Sequence, residues 1–319
     1  MEVTPEIIQK LELLNEKYSA LGQDLNAYLD GLLYADTVKY WDYIAVDTLL
    51  SLQKPRTSFP DEVIFIMYHQ ITELYFKLSL REFEQIAEQK EAGVLTKSFL
   101  TERVNRVNRY FEALTKSFEI MVNGMEKEQF LKFRMSLLPA SGFQSAQYRM
   151  IEIASSDFIN LVHKDKRAEL TKEKDIEKLY KHIYWKEGAT ELESGKKTLT
   201  LKQFEKRYSH EFIAFAKTYQ SKNLWQCYLA LKEEDQQDPE LIKALKQNDI
   251  NVNVNWPLVH YKSAVRYLQK DASDIAATGG TNWQKYLPPR FQKRIFYPLL
   301  WSEKEIEEWG KSWVEEVLT

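Results

Sequence analysis

The sequence predicts an all-α protein on three observations. Gly (10) and Pro (9) are each about 3% of the 319 residues, against usual shares of roughly 7% and 5%, so turns are scarce. No stretch alternates apolar and polar residues long enough to make a buried strand. Apolar residues recur instead at spacings of three and four, the mark of helices buried along one stripe. A chain of this length hides about three quarters of its unfolded surface, and we read residues 1–319 as one large helical domain. Residues 1–35 form its N-terminal helical segment, and 187–200 form an exposed polar excursion.

The elements follow in order. Thr4-Pro5 reads as a cap with proline at the first helical position. Ile8, Leu11, Leu14, Tyr18 and Leu21 then mark an amphipathic helix stopped by Gly22. Tyr34 to Gln53 carries Tyr40-Trp41-Asp42-Tyr43 and then Val46, Leu49 and Leu50. Ser58 to Glu62 is a break and a helix start, and a long apolar helix runs from there to about Gln89. Further helices are expected over Lys97–Met121, Glu126–Leu138, Phe143–Ser155, Ser209–Leu231 and Pro239–Lys246. Asn255-Trp256-Pro257 reads as the cap of a helix reaching about Gln269, and Ser302 to Glu305 has capping-box spacing.

Composition removes several function classes. Forty-four Lys and Arg against 47 Asp and Glu leave a net charge of −3, with no excess of positive charge to hold nucleic acid. The single cysteine, Cys227, rules out an internal disulfide and a cysteine-cluster metal site. No apolar run is long enough to span a membrane, and Met1 to Lys10 lacks the pattern of an export signal. The expectation is a cytoplasmic protein.

Few residues could carry chemistry. Of the five histidines, no two are three to five apart, so there is no helical metal pair. His163 and His182 are expected to be exposed, and His210 to lie at a helix start. His69 shares a helical face with Phe65, Thr72 and Phe76, while Ile64, Met67, Ile71, Leu74 and Leu78 make a second apolar face. Such a helix should be deeply packed, with His69 either a satisfied core residue or one that faces a ligand. His260 follows Trp256 by one turn and precedes Ser263 and Ala264, small residues that leave room beside an imidazole. It is either a buried core histidine or the single axial nitrogen that a haem needs. Arg134 shares a face with Phe130 and Leu137, so its guanidinium needs a carboxylate, from the protein or from a ligand. Thr278-Gly279-Gly280 is either a turn or an anion-binding loop.

In their order these segments resemble the tryptophan 2,3-dioxygenase family. Phe65 to Lys77 is similar to its first signature and Phe133 to Ser145 to its second; Pro139 to Ser145 reproduces the heptapeptide PASGFQS unchanged. Trp256-x-x-x-His260 with Thr278-Gly279-Gly280 resembles a third block, and Tyr40 to Ile44 a short paired-tyrosine motif. The resemblance implies a helical haem enzyme that cleaves the indole C2–C3 bond of L-tryptophan with O₂ to give N-formylkynurenine. It implies haem b with iron held by His260, near Ser141, Arg149 and Trp256. It places His69 on the substrate indole N–H, Arg134 on the carboxylate and Thr278 at the amino-acid end. Phe65 and Phe130 become the walls. Tyr40 and Tyr43 enter from a neighbouring subunit of a homotetramer, a dimer of dimers. The chain departs from the pattern in the eighteen-residue step from His260 to Thr278, in Ala277, in Trp283 and in the Trp256-Pro257 pair. These departures leave open another indole or substituted tryptophan as substrate, and a non-catalytic helical scaffold remains an alternative of a different class.

Overall fold

A computed structural model describes residues 3–35, 39–137, 141–188, 196–268 and 289–310. Among them there is no strand, only one antiparallel bridge between Val162 and Ile183, so the all-α expectation holds. No described helix is long and apolar enough to cross a membrane. The chain forms two compact units, Met1–Gln53 and Lys54–Thr319.

In the first unit α1 (Pro5–Ala20) packs on α2 (Leu25–Tyr34), and α3 (Tyr40–Tyr43) on α4 (Val46–Leu50). Gly22 stops α1 as expected, at φ +67°, a conformation that glycine adopts without strain. Thr4 does not cap through its side chain. None of these four helices buries a residue.

In the second unit the central α5 (Asp61–Glu91) packs on α6 (Lys97–Ser117), on α9 (Ala146–Ser155) and on α14 (Leu224–Leu229). Between α6 and α9 lie the short α7 (Glu119–Asn123) and α8 (Lys127–Phe133), the latter running into a 3₁₀ turn, Arg134–Leu137. α13 (Leu199–Tyr219) covers α9, and α16 (Pro239–Ile250) covers α6. α16 continues through a π turn, Asn251–Asn255, into α17 (Trp256–Leu268).

Several boundaries differ from expectation for local reasons. The helix from Lys97 ends at Ser117, and Phe118 forms the joint with α7. The excursion 187–200 ends sooner than expected, because Thr198 caps Leu201 N–H and is buried together with Thr200; residues 189–195 lie outside the described residues. His210 consequently sits in mid-helix on an exposed face of α13. Asn255 is no helix cap, since the chain is already helical there. On α5 only one of the two apolar faces is packed: Thr72 and Phe76 are buried, but Met67, Ile71, Leu74 and Leu78 are 39–51% exposed. The capping box at Ser302 and Glu305 forms as expected.

A buried carboxylate holds the C-terminal segment onto α16. Asp249 accepts the backbone N–H of Phe296 (3.0 Å) and of Tyr297 (3.2 Å) and the indole N–H of Trp301 (3.0 Å). Burial nevertheless pushes its pKa up to about 6, since the charged form is poorly solvated there.

Candidate active site

The long α5 carries His69 at its packed face. The Nδ1 of His69 is 2.7 Å from the carbonyl oxygen of Phe65, one turn earlier. A carbonyl only accepts, so Nδ1 carries the proton and Nε2 presents its lone pair. Burial pulls the imidazole below its ordinary pKa, against the opposing pull of the Phe65 carbonyl and the Glu73 charge. His69 is therefore a neutral hydrogen-bond acceptor. Its ring centroid lies 4.1 Å from that of Phe65.

His260 on α17 repeats this device. Its Nδ1 is 2.9 Å from the carbonyl of Trp256, which fixes the proton on Nδ1 and frees the Nε2 lone pair. Burial pushes its pKa down to about 4, and the neighbouring His69 acts in the same direction. Trp256 lies edge-on to the ring at 4.4 Å, and Phe118 is 4.5 Å away. Phe118 also meets Tyr68 at 5.6 Å, so the joint between α6 and α7 links the two histidine-bearing helices through one ring. Neither Phe118 nor Tyr68 stood out in the sequence, where each reads as a core aromatic.

The wall beside His69 is built by the next helices. Phe130 lies 6.3 Å from Phe65, 5.6 Å from Phe133 and 4.6 Å from Tyr267. Tyr267 is held from behind, its hydroxyl donating to the Val122 carbonyl at 3.1 Å. Arg134 follows Phe133 directly, in the 3₁₀ turn rather than on a continued α-helical face, and is 3% exposed. Burial lowers its pKa, since the charged form is less well solvated there.

The remaining expected residues are placed unevenly. Trp256 is buried against Phe76 and Phe118. Ser141 is half-buried and opens a turn, its Oγ accepting from Phe143 N–H at 3.4 Å. Arg149 donates to the carboxylate of Glu152 at 3.1 Å and to the Tyr184 hydroxyl at 2.6 Å. The structure thus gives this guanidinium a partner within the protein. Tyr40 and Tyr43 lie on α3 of the first unit, 72% and 81% exposed. His163 and His182 are half-buried rather than exposed, joined where His163 N–H donates to the His182 carbonyl. Thr278, its glycine loop, Trp283, Pro139 and Ala140 lie outside the described residues.

The neutral state of His260 has a measurable consequence. Native His260 stays neutral down to about pH 4, whereas the unfolded chain protonates it below 6.5. The stability this gives above pH 6.5 is lost as pH falls through 4, by up to roughly 3 kcal/mol at ~1.4 kcal/mol per unit, and less where solvent reaches the ring. Asp249 works the other way, gaining stability by protonation between about 6 and its ordinary 3.8. Urea unfolding of haem-free wild type and His260→Phe should separate the two, because Asp249 contributes to both. The variant should lose less stability between pH 6.5 and 4, and parallel curves would show that His260 is charged in the native state.

A family model described as tryptophan 2,3-dioxygenase matches residues 32–252, more than half of the chain. That span contains Phe65, His69, Phe130 and Arg134; His260 lies beyond it. The tryptophan 2,3-dioxygenase of Ruegeria sp. (strain TM1040) is 38% identical over 119 residues, 37% of this chain and 42% of the relative. That of Bacillus thuringiensis (strain Al Hakam) is 36% identical over 121 residues, 38% of this chain and 42% of the relative. The Pseudomonas fluorescens protein of the same name is 37% identical over 119 residues, 37% and 41% of the two chains. The matched stretch is thus about two fifths of the length of each curated relative. On the extent of the family match, the chain belongs to the tryptophan 2,3-dioxygenase family.

Proposed function

We propose that the chain is a haem-dependent dioxygenase that opens the indole ring of L-tryptophan with O₂ to give N-formylkynurenine. The observation that carries this reading is the pair of half-buried, neutral imidazoles on separate helices. Each has Nδ1 tied to the carbonyl one turn back and Nε2 free to accept. The donor chemistry suits a haem. A haem iron takes one neutral imidazole nitrogen whose partner nitrogen is fixed, as Nδ1 of His260 is by the Trp256 carbonyl. His260 would be that ligand, with Trp256 and Phe118 holding its ring and Ser141 near the macrocycle. Bound haem supplies the binding and activation of O₂.

The protein's own work is positioning. Nε2 of His69 would accept the indole N–H, and Phe65, Phe130, Phe133 and Tyr267 would press on the ring and exclude water. Arg134 would hold the substrate carboxylate through its planar fork, and Thr278 the ammonium end. Tyr40 and Tyr43 would reach a neighbouring subunit in a homotetramer. The first unit supports this, since it leaves Leu32, Leu33, Tyr34, Tyr40 and Trp41 more than half exposed, an apolar surface that a partner would cover. A cytoplasmic location belongs to the same reading.

Purified protein loaded with haemin, reduced and supplied with tryptophan and ¹⁸O₂, should yield N-formylkynurenine carrying two labelled atoms. Product with one label, or none, ends the proposal. Arg134→Ala should raise KM for tryptophan by roughly one to two orders of magnitude, since a charged hydrogen bond is worth about 1.5–3 kcal/mol. Haem content should be unaltered, and an unchanged KM would remove Arg134 from the substrate site.

A further inference from the structure

α17 brings two residues to the site on one face. His260 and Tyr267 are seven residues apart, two turns and about 10 Å along the helix, and so point the same way. At one end His260 lies between Trp256 and Phe118. At the other α17 packs on α7 and α8, and Tyr267 is 1% exposed with its ring 4.6 Å from that of Phe130. From Phe130 the rings continue to Phe65 at 6.3 Å, and from Phe65 to His69 at 4.1 Å. Tyr267 thus reaches the wall assigned to the indole through Phe130.

Tyr267 is not free to yield, because its far end is tied. The hydroxyl proton is shared between the carbonyls of Val122 (3.1 Å) and Met125 (3.3 Å), on either side of the joint between α7 and α8. That joint is closed tightly, since a Cβ on Gly124 would strike the carbonyl oxygen of Ile120. The start of α5 holds α8 as well. There the Asp61 carboxylate accepts the Glu126 N–H at 2.6 Å, and the Asp61 N–H donates to Gln129 at 3.3 Å. Phe133, 5.6 Å from Phe130, has no exposed surface. In a close-packed interior the position of Phe130 relative to Phe65 is therefore set by the space that Tyr267 fills.

We propose that Tyr267 sets the size of indole that the pocket admits, by holding Phe130 toward Phe65, and that tryptophans methylated on the benzo ring are the substrates it turns away. This role rests on Phe65, His69 and Phe130 forming the indole pocket. Tyr267 is a positioning residue that acts through Phe130. A hydrophobic pocket distinguishes one methyl group by about ten- to two hundredfold if its wall does not give way, and the tied hydroxyl keeps this wall in place. A smaller side chain at 267 leaves space into which Phe130 can retreat.

The test measures kcat/KM of the haem-loaded enzyme for tryptophan and for its 5-, 6- and 7-methyl forms. Wild type should favour tryptophan over at least one of the three by about tenfold or more, and Tyr267→Leu should cut that preference by about tenfold. Damage to the framework alone would lower all four values together and leave their ratios as they were. Phe130→Leu should relax the preference against the same isomer, and the double variant should go no further than Phe130→Leu, since Tyr267 acts through that ring. Tyr267→Phe, which keeps the ring and loses the hydroxyl, should fall between wild type and leucine. An unchanged preference in Tyr267→Leu overturns the proposal, as do additive shifts in the double variant or a wild type indifferent to all three methyl groups. Should Tyr267→Leu not fold, Tyr267→Met fills irregular space more readily and is held to the same result. If neither folds, Tyr267 belongs to the framework and the proposal falls. Equilibrium dialysis of the same four ligands separates the pocket from the reaction. Tryptophan bound but not turned over removes the dioxygenase reading and leaves the binding ratios to decide on Tyr267, whereas no binding at all ends both.

Discussion

His260→Ala is expected to abolish haemin binding and leave the chain helical. Nδ1 of His260 is committed to the Trp256 carbonyl, so Nε2 is the nitrogen available to a metal, and the low pKa keeps its lone pair free at neutral pH. Alanine removes that donor and leaves a gap between Phe118 and Trp256, which lie 4.5 and 4.4 Å from the ring. Loss of these contacts should lower stability by about 1–3 kcal/mol, too little to unfold a core of this size. Free imidazole added to the variant should enter the gap and restore part of the haem absorbance, which separates a lost ligand from a damaged pocket. A full, stable Soret band in His260→Ala without added imidazole would exclude this residue as the axial ligand. His69→Ala should behave differently, keeping the band while weakening substrate binding, because its lone pair is assigned to the indole N–H.

Features that depend on short sequence separations were legible beforehand. The start of α5 after Pro60, the capping box at Ser302 and the stop at Gly22 each rest on residues within one turn, and each forms as the pattern requires. The Phe65–His69 and Trp256–His260 pairs were legible for the same reason, since a residue and its neighbour one turn on share a face. Long-range partners were not legible. Arg149 enters only through the family resemblance, which places it near the haem, and nothing local tells that Glu152 and Tyr184 would be its partners. The exposed stripe from Met67 to Leu78 is as apolar as the packed face of the same helix, and periodicity cannot tell a face buried by the chain from one left to solvent or a partner. The π turn was hidden differently. Asn255-Trp256-Pro257 reads as the cap of a fresh helix, and nothing local tells that the chain is already helical there.

Glu152→Ala should destabilise the fold by about 3–5 kcal/mol, the range for leaving a buried charge without its partner. Glu152 has no exposed surface and is the carboxylate on which both Arg149 and Arg294 converge, the first at 3.1 Å. The Tyr184 hydroxyl donates to it at 2.5 Å. Removing it would leave two guanidinium groups, each under a tenth exposed, without the carboxylate they share. Glu152→Gln keeps the volume and an acceptor but not the charge, so it should lie between alanine and wild type. Pairing Glu152→Ala with Arg294→Met should recover part of the loss, because the second change withdraws one of the stranded charges. Urea unfolding of the four proteins decides the matter: a loss below about 1 kcal/mol for Glu152→Ala would mean that the arginines are solvated or neutralised from elsewhere. The cluster reaches His260, the proposed haem ligand, through a series of rings, Tyr148 to Phe76 at 5.5 Å, Phe76 to Trp256 at 5.7 Å and Trp256 to His260 at 4.4 Å. Haemin affinity should therefore fall less than stability, and this ordering separates a residue that holds the framework from one that touches the cofactor.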